Sequence, residues 1–150
     1  MEKRSLFFED YEAGMVFEMP AYEFTAEKII DFAKDHDPRP FHLSEEEGQK
    51  TRFGRMFASG FHTLTDTWLQ WVLYGVENES TVAGMGLDKI MWHKPVFAGD
   101  KITTFIKVHD KKIKEGKDSG MVTFEVMAKN QDGDIVITYF ANVLIAKRHT

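Results

Sequence analysis

The chain has no cysteine among its 150 residues. A thiol nucleophile, a thiolate zinc site and a disulfide framework are therefore excluded, and a protein of a reducing compartment, cytoplasmic, is expected. No stretch approaches the ~20 apolar residues that a membrane helix needs; the longest apolar run, Ile135 to Ala146, is broken by Thr138 and Asn142. The net charge is −5, so nothing attracts nucleic acid or an anionic membrane in general, and a polyanionic ligand must find a local basic cluster. Met1 to Leu6 run into the acidic pair Glu9-Asp10 without an apolar core, which is the pattern of neither a secretory signal nor a transit peptide. The histidines His36, His42, His62, His93, His109 and His149 include no pair at helical ligand spacing and no His-Glu-x-x-His motif, so no metal site is expected. Gly84-Met85-Gly86 lacks the third glycine and following helix of a dinucleotide loop, and turn glycines are expected there. Ser59-Gly60 does not form a Gly-x-Ser-x-Gly elbow, which argues against Ser59 as a nucleophile.

With no low-complexity tract, repeat or linker, residues 1–150 read as a single domain, long enough to bury about 70% of its unfolded surface. Thr25 is a candidate N-cap for a helix through Ile29, Ile30, Phe32 and Ala33, and Ser44 with Glu47 fits a capping box that opens a short helix near residues 45–50. After Ser59-Gly60, the residues Phe61, Leu64, Trp68, Trp71 and Val72 recur at helical spacing, and the segment is apolar on most sides, so this helix is expected to be buried. From Asp88 the period becomes two. It is clearest where Val122, Phe124, Val126 and Ala128 share one face of a half-buried strand, with a further strand over residues 102–113 that Gly116 and Asp118-Ser119-Gly120 follow. Asp132-Gly133 signals a hairpin into Ile135–Ala146, which is apolar on both faces as a central strand would be. One buried helix with long antiparallel strands predicts an α+β domain whose sheet wraps the helix.

The segment Asp37-Pro38-Arg39-Pro40-Phe41-His42 holds the best candidate acid/base pair. Each proline fixes its own φ near −65° and biases the residue before it toward extended geometry, so Asp37 and His42 are held by stiff backbone. Fully extended, the two side chains would lie on the order of 16 Å apart, and sharing one water requires a bend near Phe41. A rigid turn with no chemistry is the competing reading.

Asp37-x-x-Pro40-x-His42, followed by Phe53-Gly54-Arg55-Met56-Phe57-Ala58-Ser59-Gly60-Phe61-His62-Thr63, resembles the MaoC-like dehydratases and (R)-specific enoyl-CoA hydratases of the hotdog fold. Phe8 to Gly14 resembles the start of that family, and Lys94-Pro95-Val96-Phe97-Ala98-Gly99-Asp100 resembles its Pro-Val-x-x-Gly-Asp strand opening. Arg39 stands where the family usually has Asn, and Ser59 where many members have His. The resemblance implies an antiparallel sheet around a central helix, a homodimer or dimer of dimers, no cofactor, and a coenzyme A thioester as substrate. It implies that Asp37 and His42 activate one water across the double bond of a trans-2-enoyl thioester, a lyase reaction of fatty acid metabolism run in either direction. An ordinary imidazole is largely neutral near pH 7 and an ordinary carboxylate ionised, so His42 would take the water proton while Asp37 orients the water and relays a proton to the α-carbon.

Around this pair, Gly60 is the candidate oxyanion donor at a helix start, where backbone N–H groups favour developing negative charge. Ser59, His62 and Thr65 are auxiliary candidates; a structural hydrogen bond is the plainer role for His62, and bonding to its own helix is an equal alternative for Thr65. Arg39 is either solvated surface or a fork for a carboxylate on the acyl group. Lys50, Arg52 and Arg55 form a basic patch for the coenzyme A phosphates, or scattered surface charge. A hotdog acyl-CoA thioesterase and a non-catalytic acyl-thioester-binding subunit are the alternative functions.

Overall fold

Thr25 opens the first helix, α1 (Ala26–His36), by accepting the Lys28 N–H on Oγ1 at 3.2 Å from extended backbone, which satisfies an amide that the helix itself leaves orphaned. The computed structural model describes residues 4–113 and 117–148; Met1 to Lys3, Gly116 and His149, on which the sequence reading also drew, lie outside them. Ser44 caps α2 (Glu45–Gln49) by accepting the Glu47 N–H at 3.1 Å. The Glu47 carboxylate does not close the expected box but pairs with Lys50 at 3.0 Å. The long helix α3 (Gly60–Tyr74) starts after Ser59 and stops at Gly75, whose φ of 87° is a left-handed conformation that costs glycine little. Among the described residues no helix is long and apolar enough to cross a membrane.

Among the described residues six strands, β1 (Val16–Glu18), β2 (Tyr22–Phe24), β3 (Thr81–Trp92), β4 (Asp100–Ile113), β5 (Ser119–Lys129) and β6 (Ile135–Ala146), pair antiparallel in the order β1-β4-β5-β6-β3, with β2 also on β4. The two-residue period of β5 is realised as predicted: Val122, Phe124, Val126 and Ala128 are all fully buried. Asp132-Gly133 makes the hairpin into β6, with Gly133 at φ 81° and the Asn130 side chain accepting the amides of Asp132 and Asp134 at 3.0 Å each. Trp71 of α3 sits at the centre of the core, tilted against Phe17 at 5.2 Å and Phe124 at 5.3 Å. Thr67 binds the Tyr139 hydroxyl at 2.9 Å, tying α3 to β6, and burial pushes the Tyr139 phenol well above its ordinary pKa despite that bond. A curved antiparallel sheet against one long helix is the α+β hotdog architecture that the resemblance implied.

Three expectations are corrected. The first part of the chain is not purely helical, since β1 and β2 precede α1. β3 begins at Thr81 rather than Asp88, and Gly84 and Gly86 lie within it, at a register shift rather than in a turn; glycine inside a strand marks such bulges. α3 is not buried on most sides. It buries His62, Thr63, Thr67 and Trp71, while Phe61, Leu69, Val72 and Leu73 are exposed, because the sheet of one chain covers only one face of the helix.

Candidate active site

The end of α1 and a single 3-10 turn create the pair. Asp37 closes α1, its N–H still bonded to Ala33 O at 2.9 Å, and leaves the helix at φ −159°, ψ 71°, out of the helical region that the following proline disfavours but short of the extended ψ expected of it. Arg39 is extended, and Pro40–His42 then form the 3-10 turn that supplies the bend required near Phe41, with His42 N–H bonded to Arg39 O at 2.9 Å. The result brings His42 Nε2 to 3.4 Å from Asp37 Oδ2. His42 Nδ1 lies 2.6 Å from Phe57 O. A carbonyl only accepts, so Nδ1 carries a hydrogen, and in the neutral ring Nε2 presents a bare lone pair toward Asp37. Phe57 is held in turn by an antiparallel bridge to Phe97, next to the Ala58 N–H bond to Val96 O at 2.8 Å. Phe41 stacks on Phe57 at 5.2 Å, and both present themselves edge-on to the His42 ring, which fixes its plane.

Ser59 brings the start of α3 to the same place. Its Oγ donates to Asp37 Oδ2 at 2.8 Å and accepts the Phe61 N–H at 3.2 Å. Its carbonyl takes the His62 and Thr63 amides, so among the first amides of α3 that of Gly60 has no bond within the described residues. Gly60 also packs against β3: a Cβ there would lie 2.7 Å from the Trp92 indole, whose Nε1 donates to Gly60 O at 2.8 Å. Arg39 places Nε 3.4 Å from Asp37 Oδ1 with its side chain 66% exposed, against 10% for Asp37 and 4% for His42.

Asp37, His42 and Gly60 face one cavity of about 490 Å³, within the usual range for a small-molecule site. Phe41, Phe53, Phe57, Phe61 and Trp92 give it aromatic walls, and Arg39, His93 and Lys94 are its basic groups. Lys94 is balanced by Asp134 at 3.1 Å, and His93 Nε2 lies 2.7 Å from Thr138 Oγ1. A carboxylate and an imidazole nitrogen that both accept, 3.4 Å apart beside a helix amino end, can hold one water by both of its protons and can receive negative charge on a ligand oxygen at the Gly60 amide.

The structure brings Asp37, His42, Ser59, Gly60 and Arg39 together, and leaves the other candidates apart. His62 is buried with Nε2 at 2.9 Å from Asp66 Oδ2, its ring stacked on Phe32 at 4.6 Å, and it does not line the cavity. Asp66 also contributes to the rise of the Tyr22 phenol to about 12, which is chiefly due to burial, so His62 belongs to a structural network between α3 and β2. Thr65 donates to Phe61 O at 2.8 Å and lines a second cavity of about 360 Å³ with Leu64, Trp68 and Tyr139, so it does not support the pair. Lys50 is paired with Glu47, and Arg55 lies over the Phe97 ring and donates to Ala98 O at 3.3 Å. These two and the exposed Arg52 all fall outside the cavity lining. Sequence reasoning missed Thr63, Trp92, His93 and Lys94 as lining residues and Phe57 O as the anchor of His42. The sequence signal for this wall is the Lys94-Pro95-Val96 element, which lines the cavity as well as leading into β4.

A family model described as MaoC like domain matches residues 10–130. An uncharacterized protein of Bacillus subtilis, YdeM, is 29% identical over 93% of this chain and 98% of its own length. The crystal structure of a MaoC-like dehydratase from Rhodospirillum rubrum superposes with a TM-score of 0.88 at 30% identity, covering 97% of this chain and 100% of the other. A protein described as a monoamine oxidase regulatory protein from Archaeoglobus fulgidus matches with the same TM-score, 0.88, and the same identity, 30%, over 99% of both chains.

Proposed function

The chain belongs to the MaoC-like domain family, and from that premise we propose that it is a hydro-lyase interconverting trans-2-enoyl-CoA and (R)-3-hydroxyacyl-CoA. The observation that carries this reading is the pairing of an imidazole anchored through Nδ1 with a carboxylate 3.4 Å from its Nε2, in a cavity that the amino end of α3 also faces. A water seated against both on the cavity side donates one proton to Nε2 and the other to Asp37, which aims its oxygen at C3 of the bound enoyl group. As Nε2 takes its proton, the oxygen adds to C3 and the π electrons move toward the thioester. The charge that collects on the thioester oxygen is met by the Gly60 N–H at the positive end of a helix of 15 residues. The proton on Nε2 crosses to Asp37 and passes to C2, so the elements of water have been added and the pair returns to its starting charge. Dehydration follows the same path backward, and no step calls on a cofactor or metal.

The acyl group belongs against the aromatic walls, and the unpaired parts of Arg39 lie toward solvent, where the carrier or a polar acyl substituent would pass. A homodimer is part of the proposal: among the described residues β3 pairs with β6 on one side alone, and its Val82, Met85, Leu87 and Met91 are exposed together with the outer stripe of α3, the kind of edge and patch that natural proteins cover. Incubation with crotonyl-CoA tests the reaction. Loss of the conjugated-thioester absorbance without free thiol is expected; release of thiol would identify a thioesterase, and saturable binding with neither change would identify a binding subunit, and either result overturns the lyase.

A further inference from the structure

Ser59 stands between the carboxylate and the helix, 1% exposed. A hydroxyl has one proton and two acceptor positions. The Phe61 N–H occupies an acceptor position at 3.2 Å, and Asp37 Oδ2, which as a carboxylate oxygen only accepts, lies 2.8 Å away. The polarity of the chain is therefore fixed: the helix end donates to Ser59, and Ser59 donates to Asp37. Capping α3 requires only the oxygen of this side chain. Directing its proton at Asp37 is a separate act. Arg39 on Oδ1 and His42 on Oδ2 are the charged or titratable groups within ion-pair distance of Asp37 among the described residues, and neither approaches closer than 3.4 Å. The Ser59 bond is thus the short contact that sets the carboxylate's orientation.

Resting on the Asp37–His42 reading above, we propose that Ser59 is a positioning residue of the reaction: its hydroxyl, locked as a donor by the amino end of α3, pins the Asp37 carboxylate beside His42. The lone pairs left on the carboxylate are then directed at the cavity, where the water would sit.

Hydration of crotonyl-CoA by Ser59→Ala, with Ser59→Thr as the variant that keeps the hydroxyl, reads the role. In Ser59→Ala, kcat falls about 10- to 100-fold, the worth of one hydrogen bond to a charged group, with KM within about twofold. Ser59→Thr restores most of the lost kcat. A fall in melting temperature alone, with kcat unchanged, would leave Ser59 as a helix cap and overturn the proposal; so would a loss confined to KM. If Ser59→Ala does not fold, Ser59→Cys, near in shape but a weak donor, is read by the same criteria. The 15N chemical shifts of the His42 ring, compared in wild type and variant at one pH, decide independently of turnover. Unchanged shifts overturn the role of Ser59 whether or not the protein hydrates crotonyl-CoA. Changed shifts in a protein inert toward crotonyl-CoA keep that role and remove the lyase.

Discussion

Replacing Gly60 by Ala tests the proposed oxyanion site with little disturbance of the fold. Gly60 is the first residue of α3 and has no left-handed φ, so Ala is allowed by the backbone. The added Cβ would lie 2.7 Å from Cε2 and Nε1 of Trp92. Carbon atoms in contact sit about 3.5–4.0 Å apart, so the indole must withdraw by roughly 1 Å, and the Nε1–Gly60 O bond of 2.8 Å is lost. That bond contributes about 1 kcal/mol, while Ala in a helix gains up to about 1 kcal/mol over Gly. The two nearly cancel, and the melting temperature is expected to move by no more than about 4 °C. Catalysis has no such offset. The Cβ and the displaced indole would crowd the amide proposed to receive the thioester oxygen, and a blocked oxyanion contact lowers kcat by about 10²- to 10³-fold. The assay is steady-state hydration of crotonyl-CoA alongside a thermal melt. A folded Gly60→Ala protein whose kcat stays within about twofold of wild type would refute the assignment, because blocking that contact costs far more.

Asp37→Asn and His42→Ala are each expected to lower kcat by about 10²- to 10⁴-fold, the usual worth of a general acid or base, with circular dichroism unchanged. In Arg39→Asn, an enoyl-CoA bearing a second carboxylate should lose far more kcat/KM than crotonyl-CoA; equal losses would return Arg39 to solvated surface. Glu77 gives the pH dependence of stability. Burial raises its carboxyl above the ordinary 4.5, against a smaller opposing influence of the neighbouring Trp71 and Thr81. A raised value in the fold means that the folded state holds the proton longer than the unfolded one, so this stability is complete below about pH 4.5 and declines as pH rises toward the folded value. Glu77→Gln should melt higher than wild type at pH 7 and the gap should close at pH 4; a gap that does not depend on pH contradicts the sign.

The caps of α1 and α2 and the alternation of β5 were legible because they are local: Thr25 and Ser44 each bond an amide three residues on, and β5 keeps strict period two. The pair Asp37 and His42 was legible for a similar reason, since two prolines limit the backbone and leave one place to bend. What joins them to the rest was not. The Phe57 carbonyl that orients His42 is 15 residues away, and Ser59 is 22 residues from Asp37; a carbonyl carries no residue-type signal, and a serine before glycine looks like a cap whether or not its proton has a second use. β1 and β2 are three residues each, too short to display a period, and β3 is interrupted by register shifts at its glycines.

The misreading of α3 has the most physical content. Thr63, Thr67 and Trp71 face the sheet, whereas Phe61, Leu69, Val72 and Leu73 recur at helical spacing on another face and are exposed. Hydrophobicity all round a helix states that it will be covered on all sides; it does not distinguish cover from the same chain and cover from another. An apolar stripe left exposed on a helix whose Thr63, Thr67 and Trp71 already face the sheet is therefore an argument for cover by a second copy. The open edge of β3 points the same way, and it ends at Trp92, which bonds Gly60 O at the start of α3. Any subunit that pairs along β3 thus touches a strand whose last residue forms a wall of the cavity and fixes the approach to the Gly60 amide, so that assembly and the geometry of the proposed oxyanion site are set by the same side chain.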